Sequence, residues 1–299
     1  MRNMPTLSII TPTFNRAAYL EHCYRSLESQ TSYDFEWILV DDGSTDETPE
    51  IVKAFRPERF PIRFVRKENG GKHTALNAAH PYIQGKYVLI LDSDDYLTES
   101  AVQTVLDAWK QYEQNPEIGI VTFLKGTDET HPVCEVVDYG VPVDIMRYPR
   151  IRHIRTDCCE VIRSELFKKY PFPEFEGERF LSESVLWDQV SFTHKCVYQP
   201  EVIYLCEYLE GGLTKSGRAL RLRNPRGGML TSNLRMDRKN SLKDRIKNGL
   251  LYTCYGKRAG IRLKNLMRDC RAPLLIAFCA PAGALLSFYW AKKMEASNE

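Results

Sequence analysis

No two cysteines of this chain stand at CxxC spacing, although it holds nine of them. Zinc sites and redox centres built on paired thiols have no footing here. Cys158 and Cys159 are adjacent, and the set is odd and unpatterned. It reads as the reduced thiols of a cytosolic protein. Neither sign of charge dominates: 41 Lys and Arg stand against 39 Asp and Glu, a formal net charge of +2. No global field argues for nucleic acid as a partner. There is no internal repeat and no low-complexity tract, and no signal-type leader is expected. Met1 to Pro5 run straight into the strand-like Leu7-Ser8-Ile9-Ile10, so the catalytic part is expected to face the cytoplasm. What remains is ordinary globular composition, 43% hydrophobic and 27% charged over 299 residues. That length allows one large domain or two small ones.

Through residue 125, strand and helix signals alternate. Apolar runs at 7–11, 36–40, 62–65, 87–91 and 119–124 predict strands. Between them, Leu20, Tyr24 and Leu27 share a face of a helix from Ala17 to Gln30. Ser44 or Thr45 can cap a helix to about Phe55, another passes through Thr74 to Ala79, and Thr98 can cap one to about Tyr112. This rhythm predicts an α/β fold with a Rossmann-like, mostly parallel sheet flanked by helices. Residues 126–160 lose the rhythm and are expected to flank the sheet as strands and loops. A helix near Ser184 to Cys196 and a strand at Val202 to Leu205 follow, and the chain turns helical from Ser241. The expected division is a catalytic domain over 1–215 and a helical tail over 216–299.

Three polar clusters follow three of the strands: Thr11 to Arg16, Asp41 to Ser44, and Asp92 to Asp95. Ligands of open α/β sheets bind outside the carboxyl ends of the strands, so the clusters should meet in one cleft. Asp and Ser also end strands and cap helices, but three clusters at one edge exceed that need. The chemistry suits a nucleotide diphosphate. Charge grows on a departing diphosphate, and a hard divalent cation held by carboxylate and phosphate oxygens stabilises it. Strand-like alternation would put Asp92 and Asp94 on one face, with Asp95 pointing away. Asp41 or Asp42 can accept a base N–H, which favours uracil, and Phe14 is placed to touch the base.

Four segments in order, SIITPTFNR (8–16), WILVDDGSTDET (37–48), ENGGKHTALNAA (68–79) and YVLILDSDDYL (87–97), resemble family 2 glycosyltransferases of the GT-A fold. The likeness spans residues 6–125 and thins toward 215. It implies inverting transfer from a nucleotide diphosphate sugar, a UDP-sugar, to the hydroxyl of a glycan or lipid-linked acceptor. It implies that Pro12, Phe14, Asn15, Asp41 and Asp42 hold the nucleoside. Asp92 then meets the ribose, and Asp94 ligates Mn²⁺ or Mg²⁺. In Asn69-Gly70-Gly71-Lys72, glycines before a helix let backbone N–H groups near phosphates, and Lys72 adds a cation there. The plainer alternative is a solvated Lys72 on a loop.

Inverting transfer needs one general base. The family places a Glu-Asp pair ahead of a helix in its second half. Here GERFLSESVLWDQV (177–190) keeps Glu183 and has Ser184 at the Asp position, so Glu183 is the candidate. Trp187, four residues on, can stack on a sugar. Glu178, Asp188 and Asp157 are the alternative carboxylates. The departure at Ser184 keeps a non-catalytic nucleotide-sugar-binding scaffold in view. A nucleotidyltransferase is disfavoured, since Pro12-Thr13-Phe14-Asn15 replaces a Gly-rich, Arg-containing loop. EYLEGGLTKSG (207–217), NPRGG (224–228) and the basic run Arg218, Arg221, Arg223 and Arg226 can close over diphosphate, meet an anionic acceptor, or simply be solvated.

Residues 241–271 carry nine Lys and Arg against Asp244 and Asp269. The uncharged stretch 272–291 follows, interrupted by Pro273 and Pro281 and ended by Lys292 and Lys293. Basic residues on both flanks argue against one crossing of a membrane. They fit a short hairpin dipping into the inner leaflet, hence a protein peripheral at the cytoplasmic face of the membrane. A buried C-terminal helix is the alternative.

Overall fold

A computed structural model of the protein describes residues 4–152, 157–206 and 217–295. The chain divides into two compact units, Met1–Phe172 with Val190–Tyr208, and Pro173–Gln189 with Leu209–Glu299. The sequence reading drew one boundary near 215. The second unit also takes the internal segment 173–189. Most of the segment 207–217 falls outside the described residues.

The first unit is a ten-stranded sheet covered by helices. Strands β1 (Leu7–Thr13), β2 (Phe35–Asp41), β3 (Ile62–Arg66) and β4 (Tyr87–Ile90) pair in parallel. Helices α1 (Ala17–Glu28), α2 (Thr48–Ala54) and α3 (Lys72–Ala79) connect them, and β5 (Tyr96–Leu97) and α4 (Ala101–Tyr112) follow. Next come β6 (Ile118–Asp128), β7 (His131–Pro132), β8 (Pro142–Val143), α5 (Tyr148–Arg152), β9 (Cys158–Arg163), α6 (Ser164–Lys169) and β10 (Lys195–Leu205). The strand order is β3-β2-β1-β4-β9-β6-β10-β5, with β7 on β6 and β8 on β10.

Both faces of the sheet are buried, which is why its strands read as unbroken apolar runs. Leu20 and Leu27 of α1, Val52 of α2, and Val102, Val105 and Trp109 of α4 pack with Leu7, Ile9, Trp37, Leu39 and Leu89. The alternate residues Ile10, Ile38, Val40 and Val88 are also fully buried, and α3 lies on β1 and β2 while α6 lies on β4 and β9.

The sheet departs from the expected mostly parallel arrangement at β9. This strand runs antiparallel between β4 and β6, with Tyr87↔Arg163 and Phe123↔Cys159 in register, so the sheet is mixed. Its stretch was expected to flank the sheet. Cys158, Cys159, Val161 and Ile162 are buried, but Cys158-Cys159-Glu160 carries no clear strand signal, and its partners are remote in sequence. The helix expected to reach Cys196 stops at Val190, because the Thr193 and His194 amides close a turn on the Val190 carbonyl.

The helix starts also differ from expectation. Ser44 and Thr45 do not cap α2, and no side-chain bond from Thr98 caps α4. Asp46 accepts from the Ala17 and Thr48 amides at 3.2 and 3.1 Å, serving the first turns of α1 and α2. Gln30 Oε1 accepts from the Val102 amide of α4 at 3.0 Å. Two of these bonds, Asp46 to Ala17 and Gln30 to Val102, join residues distant in sequence, which a scan of neighbouring residues does not reveal.

The second unit is helical. It holds most of α7 (Ser184–Val190), then α8 (Gly217–Arg223), α9 (Pro225–Arg235), α10 (Leu242–Arg258), α11 (Leu263–Arg268) and α12 (Pro273–Glu295). Ser241 caps α10, accepting from the Asp244 amide at 3.1 Å. Helix α12 lies along α10, and Gly283 makes the contact possible: a Cβ there would sit 1.8 Å from Thr253 Oγ1. The expected hairpin is not present. Helix α12 is one helix of 23 residues that passes through Pro281. Pro281 and Ala277, whose carbonyl loses its helical donor to the proline, both lie on the exposed side.

Candidate functional site

Register alone brings the polar clusters together. Thr13 pairs with Asp41, and β4 lies on the other side of β1. The loops are then stapled to each other. Asn15, at φ 52°, donates its amide to Ser44 Oγ (2.9 Å) and accepts from the Thr45 amide through Oδ1 (2.8 Å). Asparagine tolerates this left-handed conformation better than most residues. Beside it Phe14 is exposed, and Pro12 is buried within β1. The hydroxyls assigned to helix capping are thus occupied in joining loops.

Asp42 is the anchor of the glycine loop. Its carboxylate accepts from Lys67 Nζ (2.7 Å), the Gly70 amide (3.0 Å), the Gly71 amide (2.6 Å) and Asn69 Nδ2 (3.2 Å). Gly43, at φ +83°, lets the chain pass 2.8 Å from where its Cβ would meet the Asn69 amide. Asp41 is fully buried; Oδ1 accepts from the Ser44 amide (2.9 Å), and Oδ2 lies 3.2 Å from Arg66 Nε without an aligned hydrogen bond.

Asp92 to Asp95 form a turn closed by the Asp95 amide on the Asp92 carbonyl (3.1 Å). Strand alternation therefore does not set the two carboxylates. Lys72 pairs with Asp92, and Arg16 Nε lies 3.6 Å from Asp94 Oδ2. Burial pushes the Asp92 carboxyl up, but the Lys72, Lys125 and Arg16 charges outweigh it and hold its pKa below the usual range. Asp95 does not point away; it is buried and accepts from the Tyr204 hydroxyl at 2.7 Å. Burial first, then the Asp92 charge, pushes Asp95 up to about 7. Tyr204 also accepts from the Asp92 amide at 3.0 Å, so one hydroxyl fixes the turn from β10.

Sequence reasoning missed Lys125 and the pairing role of Arg16. Lys125 lies over the Tyr204 ring at 4.3 Å and 3.5 Å from Asp157 Oδ1. Burial opposes its charge, but Asp157, Asp92, Glu160 and Asp95 hold it well above the usual lysine range. Arg16, Lys72 and Lys125 are three cations beside acidic partners, a composition that can exchange those partners for an anionic diphosphate.

Among the described residues, no group of three or more His, Cys, Asp or Glu side chains forms a metal cage. The half-buried Asp92 and Asp94 offer hard oxygen donors only. That set fits an Mg²⁺- or Mn²⁺-type ion that takes most of its ligands from phosphates and water.

A family model described as Glycosyl transferase family 2 matches residues 8–170, more than half of the chain. The chain belongs to glycosyl transferase family 2. A chondroitin synthase of Pasteurella multocida is 39% identical to this family 2 chain over 106 residues, 36% of the chain but 11% of the synthase. The chain therefore spans a small part of that relative's length. Two solved structures share the fold at 19% identity. One is S. aureus TarS 1-349 in complex with UDP-GlcNAc, with a TM-score of 0.60 over 88% of this chain and 76% of that one. The other is the mannosyltransferase PcManGT from Pyrobaculum calidifontis in complex with GDP-Man and Mn²⁺, at 0.57 over 99% and 84%.

Glu183 of this family 2 chain belongs to the second unit. It is half-buried, and its carbonyl accepts from the Leu186 amide at 2.8 Å in the first turn of α7. Two of its rivals have structural partners. Glu178 accepts from the Arg226 and Gly227 amides at 2.7 and 3.0 Å, capping α9. Asp188 is buried and ion-paired to Arg235 Nε at 2.6 Å. Asn224 Oδ1 accepts from the Arg179 and Phe180 amides at 2.8 and 3.2 Å, so NPRGG ties down the segment leading to Glu183. Trp187 is buried, which removes it as a platform for a sugar.

Proposed function

We propose that this protein is an inverting glycosyltransferase that moves a sugar from a UDP-sugar to an acceptor hydroxyl. The observation that carries this reading is the meeting of Asp92 and Asp94 with Arg16, Lys72 and Lys125 at the carboxyl edge of the sheet. Phe14, Pro12, Asn15 and the Asp41-Asp42 pair form the nucleoside side, and Asp92 meets the ribose. Arg16 and Lys72 turn from the aspartates toward the diphosphate as it binds. Asp94 holds Mn²⁺ or Mg²⁺, which supplies charge stabilisation to the leaving diphosphate. Structural neighbours bound to UDP-GlcNAc and to GDP-Man with Mn²⁺ support a nucleotide-sugar donor and a divalent ion.

Glu183 is the base that takes the acceptor proton as the hydroxyl attacks the anomeric carbon. The acceptor is a glycan or lipid-linked glycan in cell-surface polysaccharide or glycolipid synthesis, in keeping with a relative named chondroitin synthase. The protein works at the cytoplasmic face of the membrane, held by α12. Leu274, Phe278, Leu285, Phe288 and Tyr289 expose an apolar stripe along that helix, and Lys292 and Lys293 follow it. One feature favours a second reading, a nucleotide-sugar-binding scaffold without turnover: Ser184 stands where the family carries Asp.

A UDP-release assay with Mn²⁺ and a panel of UDP-sugars tests the reading, run with and without membrane lipid extract. Release with one sugar, lost in EDTA and in Asp94→Ala, is expected. Glu183→Gln should bind donor and lose transfer; retained transfer would move the base elsewhere. UDP binding without release from any donor or acceptor would favour the scaffold.

A further inference from the structure

Helices α10, α11 and α12 enclose a cleft of about 490 Å³ within the second unit. Thr253, Ile261, Leu266, Ala277, Ala280 and Ala284 line it. The alanines on α12 keep the slot open, and Leu266 closes its floor. Lys257 and Arg262, both exposed, stand on its rim. The volume is that of a site for a small molecule, and its lining is apolar apart from Thr253 and the two cations.

We propose that this cleft takes an acyl chain of an anionic phospholipid, with the lipid phosphate on Lys257 and Arg262. The proposal rests on the peripheral membrane reading above and gives it a specific ligand. Charge complementarity selects this occupant. From Arg245 to Arg268 the chain holds seven Lys and Arg and no acid. A second copy docking symmetrically would bring this positive flank against itself, whereas a bilayer rich in anionic headgroups complements it. The setting is right as well. The cleft opens beside the exposed Leu274, Phe278, Leu285 and Phe288 of the same helix, and a contiguous exposed apolar stripe is the kind of surface that meets a membrane or a partner. With α12 lying on that stripe in the plane of the interface, a lipid chain can turn from the leaflet into the slot while its phosphate stays at the rim.

The test uses the full chain and vesicles of phosphatidylcholine with or without phosphatidylglycerol, the latter carrying a photoreactive acyl chain. Flotation reports membrane binding, and mass spectrometry of cross-linked peptides reports the cleft. Binding to the phosphatidylglycerol vesicles is expected, with label on the segment 253–266 and on Ala277, Ala280 and Ala284. Ala280→Trp, which fills the slot and leaves stripe and cations in place, should float normally and lose that label. Ala284→Leu serves if the larger side chain prevents folding, as checked by circular dichroism and UDP binding. Lys257→Gln with Arg262→Gln should weaken vesicle binding roughly thirtyfold, the loss expected for two cations near an anionic surface. Flotation with label confined to Leu274, Phe278 and Leu285 and unmoved by Ala280→Trp would overturn the cleft and spare the membrane reading. Failure to float on either vesicle would overturn both. A stable dimer that excludes the label would assign the face to a second copy.

Discussion

Asp42 shows how much one side chain can hold. It fixes Lys67, Asn69, Gly70 and Gly71 together from a nearly inaccessible position. An amide in its place loses acceptor capacity and faces donors with a donor. Asp42→Asn should therefore cost about 3 kcal/mol of stability, the scale of buried groups left unpaired. It should also weaken UDP binding roughly tenfold as the glycine loop loosens. Thermal melting and titration calorimetry check both, and a wild-type melt would remove the anchor role. His80 carries a pH dependence. Its ring lies edge-on to Phe167 with Nε2 buried and unbonded. Burial first, then Lys168, lowers its pKa from 6.5. The unfolded chain therefore binds the proton more readily, and stability falls as pH drops below 6.5 toward the folded value. His80→Leu should flatten that part of a urea-midpoint profile; an unchanged slope would assign the loss to other groups.

Elements here are held in place by side chains distant in sequence. Helix α9 is capped by Glu178, and Asn224 at its start holds the 179–180 backbone just ahead of Glu183. On the proposal that Glu183 is the base, Asn224→Ala should lower kcat about tenfold, a part of the roughly 10²–10⁴ that a positioned base contributes, with donor affinity unchanged. Asn224→Asp keeps the acceptor oxygen and should restore most of the rate. Equal loss in both variants would indicate general destabilisation instead. Asp188 and Arg235 join α7 to α9 from within the second unit. Removing one partner of such a buried pair costs about 3 kcal/mol or more, so Asp188→Ala should shift the melting curve strongly downward. A shift within error would mean that water replaces the carboxylate.

At the scale of the molecule, the charge is unevenly spread. The whole chain is nearly neutral at +2, yet residues 241–271 alone carry nine cations and two acids. The remainder is net negative, so composition hides a strongly basic segment. On the proposed membrane attachment, vesicle binding should weaken steadily as NaCl rises, because the Debye length shrinks from about 10 Å at 0.1 M to about 3 Å at 1 M. Flotation indifferent to salt would leave the apolar stripe of α12 as the sole attachment.

The parallel strands β1 to β4, the edge where Asp42, Asp92 and Asp94 gather and the helical tail were all legible from the sequence. Their signals are local: apolar runs, helical spacing and polar residues closing each strand. The middle position of β9, the pairing of Lys125 with remote carboxylates, the burial of Trp187 and the long-range caps from Asp46 and Gln30 were decided by tertiary structure. Each depends on partners brought close only when the sheet closes, and no window of neighbouring residues encodes them. The tail shows the same limit at Pro281. Two prolines and basic flanks suggested a hairpin, but packing of Gly283 on Thr253 of α10 carries one helix through. Its residue types thus established a basic, apolar segment, while contact with α10 determined which face was left exposed.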